Sequence, residues 1–181
     1  MPKTFDTLVI GAGVAGCAFA AALARQGKRV LLIERSLQEP QRIVGELLQP
    51  GGIQALSKLG LSACLEDIDA QPVKGYHIYW KDQEASFWFG PISASARRAD
   101  TDGNTDCFEG RSFHHGRFVM KLREAVQCEG RITLLEATVV EILRKPETGA
   151  VIGVKCSRRG QGPTEVGLPF LSQIQTVSLT W

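Results

Sequence analysis

Thr7-Leu8-Val9-Ile10-Gly11-Ala12-Gly13-Val14-Ala15-Gly16, read on to Val30-Leu31-Leu32-Ile33-Glu34, is the stretch that decides the fold. Thr7 to Ile10 is a short apolar run, Gly11 to Gly16 a glycine-rich turn, and Val14 to Gln26 an Ala- and Leu-rich helix closed by Gly27. Val30 to Ile33 shows no polar alternation, as expected of a parallel strand covered on both faces. Strand, tight turn, helix and strand within about 30 residues make a βαβ unit. Gly11 to Gly16 fits G-x-G-x-x-G after a strand and at the start of a helix, the context that gives the pattern meaning. Gly11 permits the tight turn, Gly13 lets backbone N–H groups approach a diphosphate, and Gly16 lets the helix pack closely on the strand. The helix N-terminus adds partial positive charge where the diphosphate would lie.

Glu34 stands at the end of the second strand, about 20 residues beyond the glycines. A carboxylate there can accept both hydroxyls of an adenosine ribose and repels a 2′-phosphate, so the pattern favours FAD or NAD over NADP. A Rossmann-like turn that binds no nucleotide, with Glu34 on the surface, is the plainer alternative.

The 181 residues, 44% hydrophobic and 22% charged, suit one globular domain or a piece of a larger one. A formal net charge of +2 offers no electrostatic case for nucleic acid. The five cysteines (Cys17, Cys64, Cys107, Cys128, Cys156) are scattered and odd in number, which favours reduced thiols over a disulfide framework or a zinc site. No metal centre is expected, since His114-His115 lacks a third ligand. The uncharged run Thr7 to Ala24 has the look of a signal peptide or anchor, but Gly11, Gly13 and Gly16 interrupt it and Asp6 flanks it. It divides better into a buried strand and a helix.

Further along, Pro50-Gly51-Gly52 opens a second helix through about Leu59, stopped by Gly60. Gly75 to Trp80 and Ala85 to Phe89 read as an antiparallel hairpin around a turn at Lys81 to Glu84. Ser93 to Asp106 reads as a polar surface loop. Arg117 to Cys128 has helical spacing with Val119, Leu122 and Val126 on one face, and three β-like runs follow at Ile132 to Leu135, Thr138 to Leu143 and Val151 to Cys156. Beyond Cys156 the character changes: Ser157 to Gly167 is Arg- and Gly-rich, and Leu168 to Trp181 has no clear period.

Arg35 and Arg42 lie just past the second strand, beside a bound diphosphate or simply in solvent. The run Arg42-Ile43-Val44-Gly45-Glu46-Leu47-Leu48-Gln49-Pro50-Gly51-Gly52 resembles the characteristic run of squalene epoxidases (squalene monooxygenases), flavoproteins of sterol biosynthesis. Asp69-Ala70-Gln71, Gly75-Tyr76 and Gly110-Arg111-Ser112-Phe113-His114-His115-Gly116-Arg117-Phe118 extend the likeness over roughly Phe5 to Cys156. A generic flavin hydroxylase would share Gly11 to Glu34 but not the Arg42 to Gly52 run. The resemblance implies an α/β fold: a Rossmann-like FAD-binding βαβ unit with an inserted β-hairpin and further strands, of the flavin monooxygenase type and incomplete. It implies residues 1–156 as a partial FAD/NAD(P)-binding domain and 157–181 as a divergent, poorly ordered tail.

The same resemblance implies FAD as cofactor, electrons from NADPH through NADPH-cytochrome P450 reductase, and O2 as co-substrate. The reaction implied is transfer of one oxygen atom to squalene, giving the 2,3-epoxide, at the endoplasmic reticulum membrane. No catalytic acid–base residue is expected, because the flavin carries the chemistry. The cofactor contacts implied are Gly11, Gly13, Val14, Ala15 and Gly16 at the turn, Glu34 and Arg35 at the ribose, then Arg42, Arg123 in the later helix, and Val139 at the adenine end. Tyr76 matches a family tyrosine near the epoxidation site, orienting a neighbouring glutamine or the substrate. Plainer readings make Arg123 an exposed helix residue, Val139 a buried strand residue and Tyr76 a packing residue.

The likeness stops near Cys156, where family members continue with a strand ending in Asp-Gly, a substrate domain, a Gly-Asp pair at the flavin and C-terminal membrane-binding helices. The 181 residues contain no Gly-Asp, and their one Asp-Gly, Asp102-Gly103, follows no apolar strand. The chain as written is therefore expected to be inactive, to bind FAD weakly and to leave a sheet edge unpaired. A non-catalytic nucleotide-binding fragment and an aromatic-type flavin hydroxylase are the alternatives. A NAD-dependent dehydrogenase is the least supported, since no Tyr-x-x-x-Lys is present.

Overall fold

The structure is a computed structural model that describes residues 5–42, 46–90, 108–158 and 163–167. In chain order the elements are β1 (Thr7–Ile10), α1 (Val14–Arg25), β2 (Val30–Glu34), β3 (Glu46–Leu48), α2 (Pro50–Lys58), a 3-10 turn at Ser62–Leu65, β4 (Gln71–Val73), β5 (Gly75–Trp80) and β6 (Gln83–Trp88). Then come β7 (Gly110–Phe113), α3 (His115–Gln127), β8 (Ile132–Glu136), β9 (Thr138–Arg144), β10 (Val151–Ser157) and β11 (Thr164–Gly167). The chain divides into two compact units, Met1–Pro40 with Val119–Trp181, and Gln41–Phe118.

In the first unit β1, β2 and β8 form a parallel sheet with β2 in the middle, Thr7 opposite Val30 and Val30 opposite Ile132. Among the described residues β1 has β2 on one side and no strand on the other. Gly16, Cys17, Ala20, Ala21 and Ala24 form the buried side of α1. These side chains are small, so the helix can lie close to its neighbours. Gly27, at φ +86°, ends the helix as the sequence predicts: its N–H and that of Lys28 turn back to the carbonyls of Ala24 and Leu23.

The continuous apolar run in β2 has its reason in this unit. Leu31 and Ile33 point to one side, into a cluster with Ala137, Val154 and Cys156, flanked by Val139 and Val166. Pleating sends Val30 and Leu32 to the other side, and both are wholly buried. Val119, Leu122 and Val126 of α3 are buried too, as their helical spacing predicts. Cutting Leu32 or Leu122 back to alanine would cost about 2–5 kcal/mol. β9, β10 and β11 make an antiparallel sheet in which Val154 faces Ile142 and Val166. Part of the stretch read as a divergent tail, Thr164–Gly167, is therefore a paired strand.

The second unit holds an antiparallel sheet in the order β3-β7-β4 and the separate β5–β6 hairpin. Strands β3, β4 and β7 escaped the sequence reading because three or four residues are too few to show an alternation. The hairpin turn is shorter than expected, with only Lys81 and Asp82 between Trp80 and Gln83, and Lys81 takes φ +53°. Gly52 lies against the Leu48 side chain, 2.4 Å from where a Cβ would stand, so a larger residue there would have to displace that leucine. No described helix is long and apolar enough to cross a membrane. The expected Ser93–Asp106 loop with Asp102-Gly103, the Ile43–Gly45 part of the family-like run, and Leu168–Trp181 lie outside the described residues.

Candidate functional site

The glycine turn joins β1 to α1 and differs at each of its three glycines. Gly11 has φ +97° and donates its N–H to the Ile33 carbonyl at 2.7 Å, which ties the turn to the end of β2. Gly16 is required by contact: a Cβ there would sit 1.9 Å from the Gly11 carbonyl oxygen. Gly13 is required by neither, since its φ of −87° suits any residue and a Cβ would meet nothing within 4 Å. A glycine with no internal reason stands at an open place on the turn. There α1 begins without a side-chain cap and without an acidic residue in its first turn. The amides of that first turn have no helical acceptors, so the site is suited to an anion.

Glu34 is aimed at the same turn. Its Oε2 accepts from the Ala12 N–H at 2.7 Å and its Oε1 from the Ser36 N–H at 3.3 Å. A carboxylate has about four acceptor positions, so two remain for further donors. Arg123, only 4% exposed, reaches the turn from α3. Its Nε donates to the Ala12 carbonyl at 2.9 Å, one Nη donates to the Gln38 carbonyl at 3.0 Å, and the other lies 3.7 Å from Glu34 Oε2. The exposed-helix reading of Arg123 is thus overturned. A buried guanidinium needs such partners to offset its lost hydration.

The structure brings Gly11, Gly13, Val14, Ala15, Gly16, Glu34 and Arg123 together. Arg35 follows Glu34 on the exposed side. Val139 lies on β9 opposite Cys156, half-buried against the Leu31–Ile33 cluster, shortly after Ala137, whose N–H binds the Glu34 carbonyl at 2.8 Å. Arg42, exposed, and Tyr76 belong to the second unit. There the Gln49 side-chain amide donates to the Tyr76 hydroxyl, and the Tyr76 ring meets Phe89 edge-on at 5.4 Å. In the same unit His115 Nδ1 stands 3.0 Å from Glu46. Sequence reasoning missed Ala12, Gln38 and Gln49. The first two act through backbone atoms, which leave no trace in residue type, and Gln49 is identified only by its partner.

A NAD(P)-binding Rossmann-like domain model matches residues 9–38, the βαβ unit and the start of the loop beyond it. The squalene epoxidase of Aspergillus fumigatus is 50% identical over 155 residues, covering 85% of this chain and 30% of the relative. The squalene monooxygenase of Mus musculus is 40% identical over 162 residues, covering 88% and 26%. The chain is thus homologous to squalene epoxidases over most of its own length, and it spans about 30% of the length of the first of these relatives. Among solved structures, the myxobacterial chondrochloren halogenase CndH, a FAD-dependent halogenase, superposes with a TM-score of 0.71 at 23% identity over 93% of this chain and 36% of that one. That likeness carries the fold alone: an α/β, Rossmann-like domain.

Proposed function

We propose that this chain is the FAD-binding front portion of a squalene epoxidase and holds FAD at the β1–α1 turn. The observation that carries the reading is the open Gly13 position on an uncapped helix start, faced by the Glu34 carboxylate. Bound FAD supplies the redox chemistry with O2, for which amino-acid side chains have no substitute. The amides of Gly13, Val14 and Ala15 take the diphosphate, and the free acceptor positions of Glu34 take the ribose hydroxyls. Arg35 and Val139 line the path of the cofactor within the first unit, and Arg123 supports the turn. Tyr76 holds Gln49 through its hydroxyl and sets the direction of that amide near the substrate. Squalene and O2 are the substrates, NADPH-cytochrome P450 reductase the electron donor, and the endoplasmic reticulum membrane the location.

The 181 residues span about 30% of the A. fumigatus relative, so the epoxidation is read of the whole enzyme and FAD binding of this chain. Two measurements test this reading. Titration of FAD, followed by flavin fluorescence, should show saturable binding that falls by roughly tenfold in Glu34→Gln, the worth of a charge-assisted bond. Epoxide formation from squalene, with NADPH and the reductase present, should be nil for these 181 residues alone. Saturation unaffected by the substitution would overturn the site, and turnover would overturn the assignment of epoxidation to the whole enzyme alone.

A further inference from the structure

We infer that Arg123 is a positioning residue that sets the direction of the peptide between Ala12 and Gly13, and so decides whether the turn offers a donor or an acceptor to a diphosphate. The inference rests on the nucleotide-site reading above and adds a role to it. Ala12 is held from both sides: its N–H by Glu34 Oε2 at 2.7 Å and its carbonyl by Arg123 Nε at 2.9 Å. The described chain has no cis peptide bond. In a trans peptide the C=O and the next N–H point in opposite directions. With the Ala12 carbonyl fixed on the buried guanidinium, the Gly13 N–H must point away from Arg123. No hydrogen bond within the described chain uses that N–H.

Without the guanidinium, the Ala12 carbonyl would be a buried acceptor with no donor, which favours turning it outward to water. Rotation of this one peptide plane would need only a change in ψ of Ala12 and φ of Gly13, and glycine tolerates almost any φ. The flipped turn would present a carbonyl oxygen where a phosphate oxygen belongs. Glu34 would keep its grip, because it binds the preceding peptide. Arg123 therefore governs diphosphate recognition and leaves ribose recognition to Glu34. The second donor of Arg123, to the Gln38 carbonyl at 3.0 Å, and the nearby Glu34 carboxylate hold the guanidinium plane in place.

The test compares adenosine with ADP on the 181-residue chain, by calorimetry, in wild type, Arg123→Gln and Arg123→Lys. Wild type should prefer ADP. Arg123→Gln should lose that preference, on the order of tenfold, while keeping its affinity for adenosine. Arg123→Lys, with one cation for two carbonyls, should lie between them and decides the matter if the glutamine variant does not fold. Loss of both ligands in equal measure, or an undiminished ADP preference, would overturn the inference. If wild type binds neither ligand, the nucleotide site itself fails. The Ala12 and Gly13 backbone carbon shifts, which report ψ and φ, then judge Arg123 separately: unchanged values in the variants would refute its role.

Discussion

Exchanging Gly13 and Gly16 for alanine one at a time separates the two reasons a glycine can stand in this turn. At Gly16 the new Cβ would lie 1.9 Å from the Gly11 carbonyl oxygen and 3.1 Å from its carbon, so helix and turn must move apart by more than an ångström. Overpacking of that kind costs about 1–3 kcal/mol. At roughly 2–4 °C per kcal/mol for a chain of this size, Tm should fall by about 2–12 °C. At Gly13 the Cβ meets nothing within 4 Å and φ is −87°, so there is neither clash nor strain. Reduced chain entropy in the unfolded state favours alanine by about 0.4–1 kcal/mol. Its poorer quality at a helix N-cap costs a similar amount, so Tm should move by no more than about 2 °C. Yet the methyl group would stand where the diphosphate approaches the helix, and FAD affinity should fall by tenfold or more, the worth of about 1.4 kcal/mol. Thermal melts of the apo-chain and FAD titration check both halves. A Gly13→Ala chain that melts as early as Gly16→Ala, or that binds FAD as wild type does, would refute the reasoning.

Three further outcomes follow from the same structure. Asp6 is held at a pKa of about 2, below its usual 3.8, chiefly by the side-chain hydrogen bond from Arg29. Because the folded value is the lower one, this pair's stabilisation is complete above about pH 4 and disappears as pH falls through 2. Wild type should therefore outmelt Asp6→Asn by a constant margin at neutral pH, and the margin should close between pH 4 and 2; a margin independent of pH would refute the assignment. Burial raises the thiol pKa of Cys156, whereas Cys128 is exposed. Iodoacetamide followed by peptide mapping should label Cys128 before Cys156, which stays intact until the chain unfolds. In the β5–β6 hairpin, pleating puts Tyr76, Ile78, Trp80 and Phe87 on one face, all exposed by 42% or more. Replacing Ile78 and Phe87 by threonine should lower light scattering at high concentration without lowering Tm, since neither side chain is buried.

The sequence alone determined the βαβ unit, because its signals are local. An apolar strand, glycines at fixed offsets, an Ala-rich helix and a closing Gly27 each act within a few residues, and α1 and β2 appear where those signals put them. The face of α3 was equally legible, because Val119, Leu122 and Val126 repeat with the helical period. Tertiary structure decided what contacts between distant residues decide. Arg123 falls on that same face by its spacing, but the Ala12 carbonyl it binds lies 111 positions away, and no local pattern names that partner. Strands β3, β4 and β7 exist through pairing rather than propensity, and β11 gains its place from register with β10. Glu34 shows both sides: its position follows from strand length, but its aim at Ala12 exists only once the sheet has brought the end of β2 beside the turn. Periodicity and backbone strain are properties of a segment, whereas a hydrogen bond across a hundred residues is a property of the packed chain.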